Sequence, residues 1–343
     1  MEGGSAAPEE LPEIITNKDE MRKWSRAMRC RGKTIALVPT MGYLHQGHLS
    51  LVEKAQSLAD VVVVSIYVNP GQFSPSEDLS TYPSDFHGDI LKLGSVSGCR
   101  RVDAVFHPHN LYDYGNIGRK GERDIVEELS EEREKGPPAS GVSSCVEEMG
   151  AGHETWVKVE RLERGLCGKS RPVFFRGVAT VVTKLFNIVD PDMAVFGKKD
   201  YQQWRVIQRM VRDLDFGIRI VGSDITREQD GLAMSSRNVR LSPGDRGKLS
   251  FLSDLFGCLQ ALSISRSLFQ AKSLVERGQT TNCSDLRGTL VQAISGAGGK
   301  IDYVEIVDQE SLETLGEVDR PVVICIAAWF GNVRLIDNIE ISG

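Results

Sequence analysis

Short apolar runs alternate with amphipathic stretches through the first two thirds of the chain. Thr34–Pro39 (TIALVP) and Val61–Tyr67 (VVVVSIY) are nearly continuous runs of β-formers, the pattern of parallel strands buried on both faces. The segment between them, Leu49–Ala59, has helical spacing. Ala104–Phe106 predicts a short strand, Val178–Val189 a helix, Ala194–Gly197 a strand end, Tyr201–Asp213 a helix and Ile218–Gly222 a further strand. That β-α-β-α order implies an α/β fold with a doubly wound parallel sheet. Beyond about residue 225 the texture changes. Gly244–Arg277 and Ser284–Ser295 read as helices, and Ile301–Val307, Pro321–Ala328 and Asn332–Ile341 as strands, which implies a second, smaller α+β domain. The expected division is therefore 1–225 and 226–343. Residues 118–154, with the charge run GERDIVEELSEEREK and the small-residue stretch GPPASGVSSC, read as a surface insertion.

Composition narrows the function classes. The 343 residues are 41% hydrophobic and 26% charged, the profile of a globular chain with room for a large domain or two. Lys and Arg number 41 against 47 Asp and Glu, a net charge of −6, which points away from nucleic acid and toward small-molecule substrates. Seven cysteines without a C-x-x-C pair fit reduced thiols in the cytosol rather than a disulfide framework or zinc ribbon. The first residues, MEGGSAAPEELPEIIT, do not read as a signal or transit peptide, and no run approaches the ~18 apolar residues of a membrane span. A cytoplasmic protein without membrane partners is the expectation.

Four strings carry candidate chemistry. In Val38–His48 (VPTMGYLHQGH) a strand ends and a helix begins, the crevice position for ligands in open α/β sheets. Gly42 and Gly47 allow close backbone approach, the helix start presents N–H groups to phosphate, and His45 and His48 can donate to the same anion. The G-x-G-x-x-G fingerprint and the P-loop are both absent. In Met234–Asn238 (MSSRN), two hydroxyls and a guanidinium suit a nucleotide's phosphates. In Phe196–Gln203 (FGKKDYQQ), a lysine can neutralise phosphate, while Asp200 can cap a helix or accept ribose hydroxyls. In Ser65–Phe73 (SIYVNPGQF), Asn69 and Gln72 are neutral groups able to hydrogen-bond a substrate's hydroxyl and carboxylate.

H-x-G-H resembles the phosphate signature of the nucleotidylyltransferase superfamily, and MSSRN is similar to the mobile loop that completes such sites. Together with YPSDF, VVTKLFNIV, DGLAMSSRN, IDYVEIVD and RLIDNIEI, the strings closely resemble the pantoate–β-alanine ligase family over about Ile35 to Ile341. The resemblance implies an ATP-dependent ligase with a Rossmann-like amino-terminal domain and a homodimeric assembly, and no acidic cluster in the sequence reads as a metal cage, which fits Mg²⁺ carried on ATP. By the same resemblance Met41, Gly42, Tyr43, Leu44, His45, Gln46, Gly47 and His48 line the ATP site, with His48 as proton donor. Gly197, Lys198, Lys199, Asp200, Thr226, Met234, Ser235, Ser236 and Arg237 complete it, with Lys199 on phosphate and Asp200 on ribose. His45, His48 and Lys199 form the implied catalytic set. Gln72, Gln203 and Asn69 would hold pantoate and β-alanine. The chain departs from the family pattern at Lys198 (commonly Glu), Gly71 (Leu), Thr226 (aliphatic) and Phe174 (His). Two other readings share these motifs. A tRNA-charging enzyme shares H-x-G-H but would carry an anticodon-binding extension, and a binding-only descendant would retain the fold without turnover.

Overall fold

The computed structural model describes residues 11–74, 77, 79–94, 101–112, 153–246 and 260–342. Except for residues 153 and 154, the expected insertion at 118–154 lies outside these, as do 247–259 of the helical stretch expected over Gly244–Arg277. Among the described residues nine strands, β1 to β9, fall at Glu13–Ile15, Ile35–Thr40, Val61–Ile66, Ala104–Phe106, Met193–Gly197, Arg219–Ser223, Lys300–Asp308, Val322–Phe330 and Val333–Ile341. The helices described, α1 to α9, are Lys18–Cys30, Gln46–Gln56, Phe86–Gly94, Leu166–Ser170, Phe174–Val189, Tyr201–Asp213, Pro243–Arg246, Leu262–Glu276 and Cys283–Gly296.

The large sheet has the order β1-β4-β3-β2-β5-β6, with every pairing parallel. From β2 the chain winds outward to β3 and β4, then returns to place β5 on the other side of β2. That reversal opens a crevice at the carboxyl ends of β2 and β5, where open α/β sheets bind ligands. Ile35, Ala36, Leu37 and Val38 are fully buried, as expected for a strand covered on both faces. Helices pack on both sides, giving one apolar cluster around Phe106, Phe186 and Ile207 and another around Val38, Val64 and Leu93. Truncating a fully buried side chain such as Ile207 to Ala would cost about 2–5 kcal/mol.

The smaller sheet, β7-β8-β9, is antiparallel. One face covers α8 and α9 through Ile324, Ile326, Leu335 and Ile339. The other face sends Val307, Val323 and Cys325 into the first cluster, so the two sheets share a packed boundary. Among the described strands and helices β1, α1, α3 and α4 have no counterpart among the elements read from the sequence. The three-residue strand β1 is too short to show a period, whereas α1 packs an apolar stripe, Met21, Trp24 and Met28, against the first cluster, and Asn17 Oδ1 caps it by accepting from the N–H groups of Asp19 and Glu20. Among the described residues no helix is long and apolar enough to cross a membrane.

Candidate active site

The turn between β2 and α2 is held open by a carboxylate from elsewhere in the chain. Gly42 sits at φ +82°, a left-handed conformation, and a Cβ there would lie 3.1 Å from Ile66 and 3.2 Å from Asp89. Asp89, on α3 and 1% exposed, accepts from Tyr43 N–H (2.7 Å) and Leu44 N–H (2.6 Å). Burial raises the Asp89 carboxyl above the usual range, opposed by those two N–H bonds and by Lys92. Lys92 donates to Leu44 O at 2.9 Å and completes the brace.

His45 is the N-cap of α2, and its Nδ1 accepts from Gly47 N–H at 3.1 Å. The Nδ1 of His48 accepts from His45 N–H at 3.3 Å. An imidazole nitrogen that accepts carries no proton, so these contacts assign both rings as neutral Nε2–H tautomers. Burial is the main reason both titrate low, at about 4 for His45 and about 3 for His48, and Lys199 lowers each further. At pH 7 each ring is a hydrogen-bond donor and not an imidazolium. In this state His48 presents the crevice with a neutral Nε2–H.

Lys199, Asp200 and Gln203 face the crevice from the turn after β5 and the first turn of α6. Asp200 stands at the N-cap of α6 without making a side-chain cap bond, so capping does not account for its carboxylate. Lys198, expected on ATP, does not line the crevice. Its ammonium lies 2.7 Å from Glu340 and 3.4 Å from Asp224, with the Trp204 ring 5.4 Å away.

The third wall is the segment after β6. Thr226 shares a hydroxyl contact of 2.9 Å with Ser50 of α2. Arg227 and Ala233 pair as an antiparallel bridge, so Thr226–Met234 forms a short hairpin that delivers Ser235, Ser236 and Arg237 to the mouth. Ser235 caps a 3-10 turn by accepting from Arg237 N–H, and Ser236 donates to Tyr43 O at 3.4 Å, which ties this loop to the β2–α2 turn.

Gln72 also lines the crevice, its Oε1 accepting from Asn69 at 2.9 Å and its Nε2 reaching Met41 Sδ at 3.3 Å. Asn69 Nδ2 also donates to Gly177 O, while its Oδ1 accepts from Gly71 N–H and Tyr112 OH. All four hydrogen bonds of the Asn69 amide are internal, and one of them holds Gln72. Phe174, where the family pattern has His, stacks under the Arg171 guanidinium at 3.7 Å, and Arg171 is paired with Glu77.

The crevice, a cavity of about 270 Å³, brings together Met41, His45, Gly47, His48, Asn69, Gln72, Gly197, Lys199, Asp200, Gln203, Thr226 and Met234–Arg237. Gly42, Tyr43 and Leu44 shape the turn behind it and are absent from its lining, and Gln46 is exposed on the outer side. Sequence reasoning missed Asp89, Lys92 and Asn338. Each acts through backbone atoms distant in sequence, and a lone Asp or Asn carries no local signature of that.

The family described as pantoate-beta-alanine ligase matches residues 13–340. A pantoate–beta-alanine ligase of Arabidopsis thaliana is 64% identical over 331 residues, covering 96% of this chain and 98% of the relative. A crystal structure of pantothenate synthetase from Thermus thermophilus superposes with a TM-score of 0.74 at 35% identity, covering 96% of this chain and all of that one. A pantoate-beta-alanine ligase from Francisella tularensis, complexed with beta-gamma ATP and beta-alanine, superposes with a TM-score of 0.63 at 28% identity, covering 96% of this chain and 97% of that one.

Proposed function

The chain belongs to the pantoate–β-alanine ligase family, and on that premise we propose how its crevice carries out the condensation. The reaction joins pantoate to β-alanine with ATP as co-substrate and gives pantothenate, AMP and pyrophosphate. One observation carries the reading. Two Nε2–H imidazoles, the Lys199 ammonium and the hydroxyls of Ser235 and Ser236 face a single crevice, together with the neutral amides of Gln72 and Gln203. The first set suits phosphate oxygens and the second suits a hydroxy acid.

In the first step the pantoate carboxylate attacks the α-phosphorus and expels pyrophosphate, leaving pantoyl adenylate. A carboxylate with a reference pKa of about 4 is ionised at pH 7, so no general base is required. The requirements are alignment and neutralisation of charge on the leaving pyrophosphate. His45 and His48 donate to the phosphates, Lys199 adds a positive charge, and the hydroxyls of Ser235 and Ser236 close over the triphosphate. Asp200 takes the ribose, and Gln72, held by Asn69, orients pantoate together with Gln203. The cleft's imidazole N–H, ammonium and hydroxyl donors suit phosphate oxygens rather than a hard cation. Mg²⁺ therefore enters this reading on ATP, where it would neutralise phosphate charge.

In the second step the β-alanine amine attacks the acyl carbon and releases AMP. An amine with a pKa of about 10.4 must first lose a proton. Neither imidazole offers it a lone pair in the tautomer that its contacts assign, which leaves water or the departing phosphate as acceptor. The same reading divides the chain near residue 225 into a nucleotide domain and a smaller closing domain. The family resemblance supports a homodimer, and seven cysteines without a C-x-x-C pair fit the reducing cytosol.

The test is product stoichiometry from ATP, pantoate, β-alanine and Mg²⁺. Pantothenate, AMP and pyrophosphate should form in equal amounts. Formation of ADP and phosphate would contradict the adenylate, and no amide product would overturn the reading.

A further inference from the structure

Strand β9 presents alternate residues to the two halves of the molecule. Leu335, Ile339 and Ile341 pack toward α8 and α9, whereas Ile336, Asn338 and Glu340 face the large sheet. Asn338 is 4% exposed, and its single NH₂ group donates to Lys198 O and Lys199 O, each at 2.9 Å. Both amide hydrogens thus grip the backbone of one turn. Asp200, the N-cap of α6, makes no side-chain cap bond, so the turn is held by Asn338 and by the ion pairs of Lys198 with Glu340 and Asp224.

A lysine side chain has four rotatable bonds, so where its ammonium can rest depends on where its Cα is held. We propose that Asn338 is a positioning residue for Lys199, through which the small sheet sets the reach of the crevice's ammonium toward the phosphates. The neighbouring residue serves the other phosphate segment in a parallel way. Asn338 N–H donates to Asp337 Oδ1 at 2.8 Å, and Asp337 receives both Arg227 Nη groups at 2.7 and 3.0 Å. Arg227 in turn donates to Gly231 O at 3.1 Å, inside the hairpin that delivers Ser235 and Ser236. One dipeptide of β9 therefore braces both segments that face the triphosphate. The inference rests on the reading of Lys199 as a phosphate ligand.

A double-mutant cycle tests it. Wild type, Asn338→Ser, Lys199→Ala and the double variant are compared by pantoate-dependent exchange of pyrophosphate into ATP and by melting temperature. Asn338→Ser should lower kcat/KM for ATP by about 10- to 100-fold when Lys199 is present, and by less than about twofold when it is Ala. KM for pantoate should stay within about twofold, and the melting temperature should shift equally in both backgrounds. If the Ser variant does not fold, Asn338→Ala, which removes both N–H donors without adding a buried hydroxyl, carries the same cycle. Equal losses in both backgrounds, or no loss in either, would overturn the proposal alone. A Lys199→Ala variant with wild-type exchange would overturn the phosphate reading and the proposal with it.

Discussion

The rings of His45 and His48 lie with centroids 4.1 Å apart at the start of α2, and each Nδ1 accepts a backbone N–H. The pairing fixes both rings in the same tautomer. It turns two potential acids into two aimed N–H donors, so the role assigned to them is electrostatic.

That assignment separates donor geometry from proton transfer. Glutamine keeps an N–H near the position of Nε2 and cannot act as an acid. His48→Gln should retain exchange activity within about tenfold of wild type, whereas His48→Ala should lose about 10²- to 10³-fold, the usual cost of one such donor. Equal inactivity of the two variants would indicate that a titrating imidazole is required.

The same burial makes the fold acid-sensitive. An unfolded imidazole titrates near 6.5, while these two titrate at about 4 and about 3 when folded. Below 6.5 the unfolded chain binds more protons, so stability present at neutral pH is lost as the pH falls. Urea melts at pH 7 and pH 5 should differ by up to about 2 kcal/mol per ring, and the His45→Gln/His48→Gln protein should show a smaller difference.

Two adjacent lysines should behave differently. Lys198 is held between Glu340 and Asp224 and does not line the crevice, whereas Lys199 does. Lys198→Met should leave KM for ATP within about twofold and cost about 1 kcal/mol of stability. Lys199→Met should lower kcat/KM for ATP by about 10²-fold or more with little change in melting temperature. The reverse pattern would exchange their roles.

Gly177 is where α5 meets the Asn69–Gln72 turn. A Cβ there would lie 2.0 Å from Gly71 O, a backbone atom that cannot swing aside. Gly177→Ala should destabilise the protein by about 1–3 kcal/mol and raise KM for pantoate more than KM for ATP. Thermal melts and the two KM values decide it.

The large sheet and the β2–α2 turn were legible because their signals are local. Buried β-branched runs marked β2 and β3, helical spacing marked Tyr201–Asp213, and H-x-G-H marked the phosphate turn. The small sheet's strands were also placed to within a few residues. What could not be read depends on direction or distance. Lys198 and Lys199 are equivalent in sequence, and only the 3-10 turn sends them to different sides of the chain. Asp89 reaches a turn about 45 residues earlier, and Asn338 a turn about 140 residues earlier, without any local pattern to announce it. The environment of Asn69, with every hydrogen bond of its amide satisfied internally, exists only in the folded chain.

Pantoate-dependent exchange of labelled pyrophosphate into ATP, with Mg²⁺ and without β-alanine, tests the central claim most directly. The account predicts exchange that requires pantoate and that stops on addition of pyrophosphatase. Amide formation without any such exchange would contradict an adenylate formed in this crevice.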